Sequence, residues 1–504
     1  MNRRGRLVAG CAILPLLVQG SCAVPNGFHA DAIEAWQILR SPDFVLYSQA
    51  PPARLEAFAL DLARFIAVVE KVVRRESPKT RAEIFLLSGR VEKLLLPHPR
   101  IAGLMSPHLS GFHGLVRESR RNTAGRNVLL HEFTHYLTGT RSQLDYPLWY
   151  LEGFAEFLST VRLRGEGMEL GGLPLGRLDE LAMRLEHGEP IDLREIITFE
   201  RGARWSFPPA FYSISWATVH YLNLTPERRK RLATLISGQS RGMHWRAAYR
   251  RSFEIPIEIL SREVERHIEK LLNGGLSTVA FIPLERLDVR DDWEISALSP
   301  LEASQRLGVL ATRGVSSSRN NLRIARAFFR SGLALEPDDP LSHAGLALLD
   351  EQRDRLDEAL LHIDRVSEAP APGVEALVLA GIARRHLAER IPAPEKERRA
   401  HAFVAAVQLF RAALAIDPQD PEANAGLGRC LLESEAFPEA RAAFARASEF
   451  GEWDAALIRD QGKLERRSGN PEAARVLWKR VLARGSPEAA KESQELIEKL
   501  DETD

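Results

Sequence analysis

Cysteine is nearly absent, with only Cys11, Cys22 and Cys430 in 504 residues. Three thiols, two of them near the N-terminus, cannot build a disulfide framework, so stability must come from packing in any compartment. An excess of one charge is also missing: Lys+Arg and Asp+Glu each total 68. That balance gives no global field toward nucleic acid or an anionic membrane, and a nucleic-acid role has no support. Long hydrophobic runs are absent from the N-terminal region as well. Leu7 to Val18, which follows Arg3, Arg4 and Arg6, is apolar but too short to span a bilayer comfortably.

That basic start and short apolar core predict a secretory signal peptide over 1–23 and an exported product, periplasmic or associated with the cell envelope. Two exits are open, cleavage after Ala23 or lipid attachment at Cys22. A lipid anchor there would be the chain's contact with a membrane.

The length calls for two or more cores. From about Phe28 to Leu276 strand-like and helical patterns mix. Phe44 to Ser48, Ala82 to Leu87 and Ser110 to Glu118 read as strands, and Leu55 to Arg74 as an amphipathic helix. The expectation is an α+β domain over 28–276. Residues 277–299 read as a linker, and beyond them the chain is rich in Ala, Leu, Arg and Glu with helical periodicity.

Phe410, Phe444 and Trp478 are spaced by 34 residues, as are Ala406, Ala440 and Ala474, and Gly428 and Gly462. An upstream series in the same phase holds Ala325, Phe329, Leu346, Ala359 and Ile363. This resembles the tetratricopeptide repeat, in which small residues let paired helices approach and an aromatic fills the space between hairpins. The resemblance implies an all-α solenoid of four to five hairpins over 300–485, with Ile391 to Lys396 as an insertion and 486–504 as a polar capping helix and tail.

The chemistry-bearing stretch is His131-Glu132-Phe133-Thr134-His135, inside a helical pattern from about Arg126 to Leu137. A spacing of four places both imidazoles on one helix face, where two nitrogens can share one tetrahedral zinc ion. Glu132 then stands beside the ion, placed to take a proton from the attacking water. After sixteen intervening residues from His135, in Trp149-Tyr150-Leu151-Glu152-Gly153-Phe154-Ala155-Glu156, a second helix with Asp145 as its expected N-cap brings Glu152 back as a third ligand. Glu156, one turn later, is placed to orient a ligating histidine, and Gly153 to keep the helix surface low near the metal. Unpaired carboxylates on so apolar a segment would be costly.

At these residues the chain resembles the gluzincin (peptidase MA-like) metallopeptidases, over about Ala35 to Lys270. The resemblance implies a zincin-like fold holding one Zn2+ per chain and hydrolysis of peptide bonds. His131, His135 and Glu152 would be ligands, Glu132 the general base and Glu156 the orienting carboxylate. Leu151 departs from the Asn that many such relatives carry before the ligand glutamate.

Tyr212, in Tyr212-Ser213-Ile214-Ser215-Trp216, is the first candidate for the oxyanion donor, ahead of His220. His98, His108 and His113 lack ligand spacing and read as surface or loop residues. Ser110 to Glu118 is a candidate edge strand for an extended substrate. Three functions follow: a zinc peptidase whose repeats recruit a partner or polypeptide substrate, a catalytically idle zinc domain in a repeat scaffold, and a zinc amidase acting on a non-peptide linkage.

Overall fold

The structure is a computed structural model that describes residues 32–73, 82–96, 103–117, 123–139, 146–199, 207–275, 277–313, 319–392, 395–451, 454–484 and 487–502. The expected signal peptide, Cys22, His98 and Asp145 lie outside the described residues.

Strands β1 (Gln37–Arg40) and β2 (Phe44–Ser48) pair antiparallel. Helix α1 (Pro52–Val73) then leads to β3 (Ala82–Leu87), parallel to β2. β3 reads Ala-Glu-Ile-Phe-Leu-Leu, the near-continuous apolar run of a strand with neighbours on both sides. After α2 (Gly89–Leu95), β4 (Gly103–His108) and β5 (Gly111–Arg117) form a hairpin, with β5 parallel to β3. α3 (Thr123–Gly139), α4 (Leu148–Ser159), β6 (Arg162–Arg164) and β7 (Gly167–Leu170) follow. Next come α5 (Leu175–Glu186), α6 (Leu193–Ile197), α7 (Phe211–Asn223), α8 (Pro226–Ser240), α9 (Trp245–Ser252) and α10 (Ile257–Leu272).

The stretch 277–299, expected as a linker, instead carries β8 (Ala280–Pro283), paired with β7, and β9 (Glu294–Ala297), paired with β1. One sheet therefore runs β4-β5-β3-β2-β1-β9 and the other β6-β7-β8. β5 has a partner on each side, so the candidate edge strand over 110–118 is an interior one. β4 and β9 are the edges.

The rest is helical: α11 (Pro300–Arg313), α12 (Arg319–Leu335), α13 (Pro340–Glu351), α14 (Leu356–Glu368), α15 (Val374–Glu389) and α16 (Lys396–Ile416). α17 (Pro421–Glu433), α18 (Phe437–Gly451), α19 (Ala455–Arg467), α20 (Pro471–Arg484) and α21 (Pro487–Asp501) complete it. α11 to α20 pair as five antiparallel hairpins. Asp339, Asp420 and Asp454 cap α13, α17 and α19 by accepting from the N–H three residues on, which starts each hairpin sharply. Phe329 packs on Gly308 and Gly345, Phe410 on Gly381 and Gly426, Phe444 on Gly428, and Trp478 on Gly462. A Cβ at any of these glycines would come within 2.2–2.8 Å of the ring, so the glycines are sockets for the aromatics.

The described chain divides into two compact units. One comprises 60–73 and 123–290, with α3 to α10 and the three-stranded sheet. The other comprises 32–59, 82–117 and 291–502, with the six-stranded sheet and the repeats.

Within the second unit, sheet and repeats share a core: Ile38, Val45, Tyr47, Phe85 and Leu115 belong to one buried cluster with Leu307, Leu310, Phe329, Leu377 and Phe410. Leu109, at the tip of the β4–β5 hairpin, is buried with Ala425, Leu432 and Phe444. Beside it Ser110 Oγ donates to Glu422 Oε1 at 2.8 Å, and Arg313 donates to Glu422 Oε2 at 2.7 Å. A cavity of about 570 Å3 remains along this seam, with Arg306, Arg313, Glu375 and Glu422 on the helices and Tyr47, Glu83 and His113 on the strands. His108 and His113 are thus strand residues of this unit, not surface or loop histidines. His113 is buried with Nε2 3.2 Å from Glu83, and burial of that carboxylate is outweighed by His113, which lowers its pKa to about 2.

Candidate metal centre

α3 buries Leu129, Leu130, Phe133 and Tyr136. Phe133 packs against Phe65 of α1, and Arg126 forks onto Asp61 at 2.6 and 2.9 Å, which fixes the helix about its axis. His131, Glu132 and His135 are left half-buried on the other side. α4 starts at Leu148 with Pro147 in the cap position expected for Asp145. Its apolar side chains Trp149, Ala155, Phe157 and Leu158 are buried, and so are Glu152 and Glu156.

The structure brings His131, His135 and Glu152 together. His131 Nε2 and His135 Nε2 are 3.2 Å apart, and Glu152 Oε2 lies 3.3 Å from each. Donors about 2.0–2.1 Å from a tetrahedral zinc ion are separated from one another by about 3.3 Å, so this triangle fits the ion without rearrangement. His2Glu is a donor set that zinc uses in open sites. Among the described residues these three are the group able to hold a metal.

The electrostatics favour a cation here. Burial disfavours the imidazolium of His131, but Glu152, Glu156 and Glu132 outweigh it and push its pKa up to about 9. Burial alone would raise Glu152, yet His135 and His131 hold its carboxyl well below the ordinary range. A buried carboxylate among imidazoles retains a positive charge beside it, whether carried by a proton or by a metal ion.

Glu156 Oε1 lies 3.5 Å from His131 Nδ1, a buried nitrogen without a hydrogen-bond partner among the described residues. Arg177 of α5, which sequence reasoning missed, donates to the same Oε1 from Nε at 3.0 Å and Nη2 at 2.5 Å. A single arginine after Pro174 gives no motif to recognise.

Tyr212 enters from α7, its ring centroid 6.4 Å from that of His131. α7 reaches that position because Gly153 admits it. A Cβ there would be 2.5 Å from the Ser215 carbonyl oxygen. Gly153 thus sets the α4–α7 spacing, rather than lowering the helix surface beside the metal. His220, the second donor candidate, is a buried strut: its Nε2 lies 3.1 and 2.8 Å from the carbonyls of Gly171 and Ser277, and its Nδ1 2.9 Å from His267 Nε2. It takes no part in the centre.

Comparison with known proteins bears on the repeats. No curated protein matches the chain significantly. The thermophilic tetratricopeptide protein TTC0263 of Thermus thermophilus is 15% identical, over 39% of this chain and 97% of that one, with a TM-score of 0.33. YrrB, described as a tetratricopeptide protein with an unusual peptide-binding site, is 17% identical, over 39% and 91%, with a TM-score of 0.28. MamA is 14% identical, over 34% and 93%, with a TM-score of 0.27. The tetratricopeptide-repeat family profile matches residues 398–457. The C-terminal helices, with their glycine-socketed aromatics, are therefore a tetratricopeptide-repeat array.

Proposed function

We propose that the chain is an exported zinc-dependent peptidase whose repeat array serves a protein partner or polypeptide substrate. The observation that carries this is the donor triangle of His131, His135 and Glu152 at 3.2–3.3 Å, with Glu132 on the same helix and outside the ligand set. When bound there, Zn2+ supplies Lewis-acid polarisation of a carbonyl and lowers the pKa of water. Glu132 takes the proton from the attacking water and delivers it to the leaving amine. Tyr212, beside His131, donates a hydrogen bond to the carbonyl oxygen as charge develops on it. Glu156 orients His131 through Nδ1. A purely structural zinc site closes its fourth position with a protein ligand, whereas the donor group here has three members among the described residues.

The test is metal content and casein cleavage by the exported form of the full chain, compared with Glu132→Gln. One zinc per chain in both proteins, with turnover lost by roughly 100-fold or more in the variant, supports the peptidase. Absence of zinc from the wild-type chain defeats it. The second reading, an idle zinc domain in a repeat scaffold, draws its support from the repeat-family match over residues 398–457. Zinc without hydrolysis of casein or a peptide library would select it, and hydrolysis of a non-peptide amide alone would select an amidase.

A further inference from the structure

Arg177 contributes nothing to the ligand set, yet its side chain is only 14% exposed. A guanidinium in such a place is costly unless its donors meet acceptors. Nε and Nη2 both reach Glu156 Oε1, the oxygen that faces His131 Nδ1 at 3.5 Å. Its Cζ also lies over the ring of Tyr212, 4.9 Å from the centroid. One cation therefore engages the carboxylate behind a candidate ligand through its N–H donors and lies over the ring of the candidate oxyanion donor. Arginine can do both at once, because its fork donates in the plane while its face stacks on an aromatic ring.

We propose that Arg177 is a positioning residue for the metal centre, an inference that rests on the zinc reading above. By holding Oε1 it stops the buried Glu156 carboxylate from rotating away from His131, and so fixes the His131 ring with Nε2 turned toward His135 and Glu152. By lying over Tyr212 it sets the distance of that ring from the same histidine. Metal affinity and the chemical step thus both depend on a residue that touches neither metal nor substrate.

The test is competitive zinc titration of the full chain with a chromophoric chelator, for wild type, R177Q, R177K, E156Q and the double variant R177Q/E156Q, with kcat and KM for each. Loss of such an outer partner weakens zinc by about 10- to 100-fold, and this is expected for both R177Q and E156Q. Because Arg177 acts through Glu156, the double variant should bind zinc within about threefold of the weaker single variant, far short of the product of the two losses. kcat should fall more than KM rises. R177K keeps the charge and loses the fork, so it should recover part of the affinity, and it carries the test if R177Q does not fold.

Unchanged zinc affinity in folded R177Q or, failing that, in R177K overturns the proposal while leaving the zinc reading in place. So does a double variant in which the two losses multiply. A wild-type chain that takes up no zinc overturns both.

Discussion

Replacing Gly153 with alanine puts a methyl group where α4 and α7 are closest. The new Cβ would stand 2.5 Å from the Ser215 carbonyl oxygen, 2.7 Å from its carbon and 3.0 Å from Val219 Cγ2. Two of those atoms are helix backbone and cannot rotate away. Relief requires the helices to part by about 1 Å, since non-bonded contact is optimal near 3.5 Å. Overpacking of this kind destabilises by about 1–3 kcal/mol. Alanine's better helix propensity returns just under 1 kcal/mol, so the expected net loss is about 0–2 kcal/mol. The larger effect is on function, because Glu152 adjoins the substituted residue and Tyr212 rides on the displaced helix. A misplacement of about 1 Å can lower turnover by roughly 100-fold, against a smaller change in stability. The assay is denaturant midpoint, zinc affinity and casein turnover, with Gly176→Ala as control, since a Cβ at Gly176 meets nothing within 4 Å. A Gly153→Ala protein with wild-type stability, zinc affinity and turnover would refute the claim that this glycine sets the α4–α7 spacing.

Two further outcomes follow from burial. Burial, then His220 and nearby cations, lower the pKa of His267 to about 4. Between pH 6.5 and 4 the unfolded chain therefore binds a proton that the folded chain refuses. Stability should fall as pH drops through that window, by up to about 3 kcal/mol, and His267→Gln should flatten the profile measured by unfolding midpoint against pH. Leu109→Asp places a charge in the buried cluster with Ala425, Leu432 and Phe444, and should destabilise the sheet-and-repeat unit by about 3 kcal/mol or more, read by denaturant midpoint and limited proteolysis of the repeats.

Much of the local structure is legible in the residues. β2, β3 and β5 fall where apolar clustering puts them, and α1 starts three residues before the predicted helix. The repeats are readable because a period of about 34 residues recurs with its aromatics and glycines in phase. The array resolves into five hairpins, with the break between α15 and α16 at the predicted insertion. β1 and β9 escape because four residues carry little pattern, β4 because it begins on Gly103 and contains Pro107, and β9 finds β1 across more than 250 residues. Given that pairing and the core shared by sheet and repeats, a deletion from Pro283 onward would remove β9 and uncover Ile38, Val45 and Phe85, and so would not isolate the role of the repeats.

The sequence by itself determined the candidate ligands, because four residues are one helical turn and His131, His135, Glu152 and Glu156 are set by spacings within single helices. It determined the repeats for the same reason, since each hairpin is specified by contiguous residues. Only the tertiary structure decided that Arg177 holds Glu156, that Gly153 exists for α7 rather than for the metal, that His113 belongs to Glu83, and that the predicted edge strand lies inside a sheet. These are pairings between elements far apart in the chain, and periodicity along one segment carries no information about which distant segment will close on it.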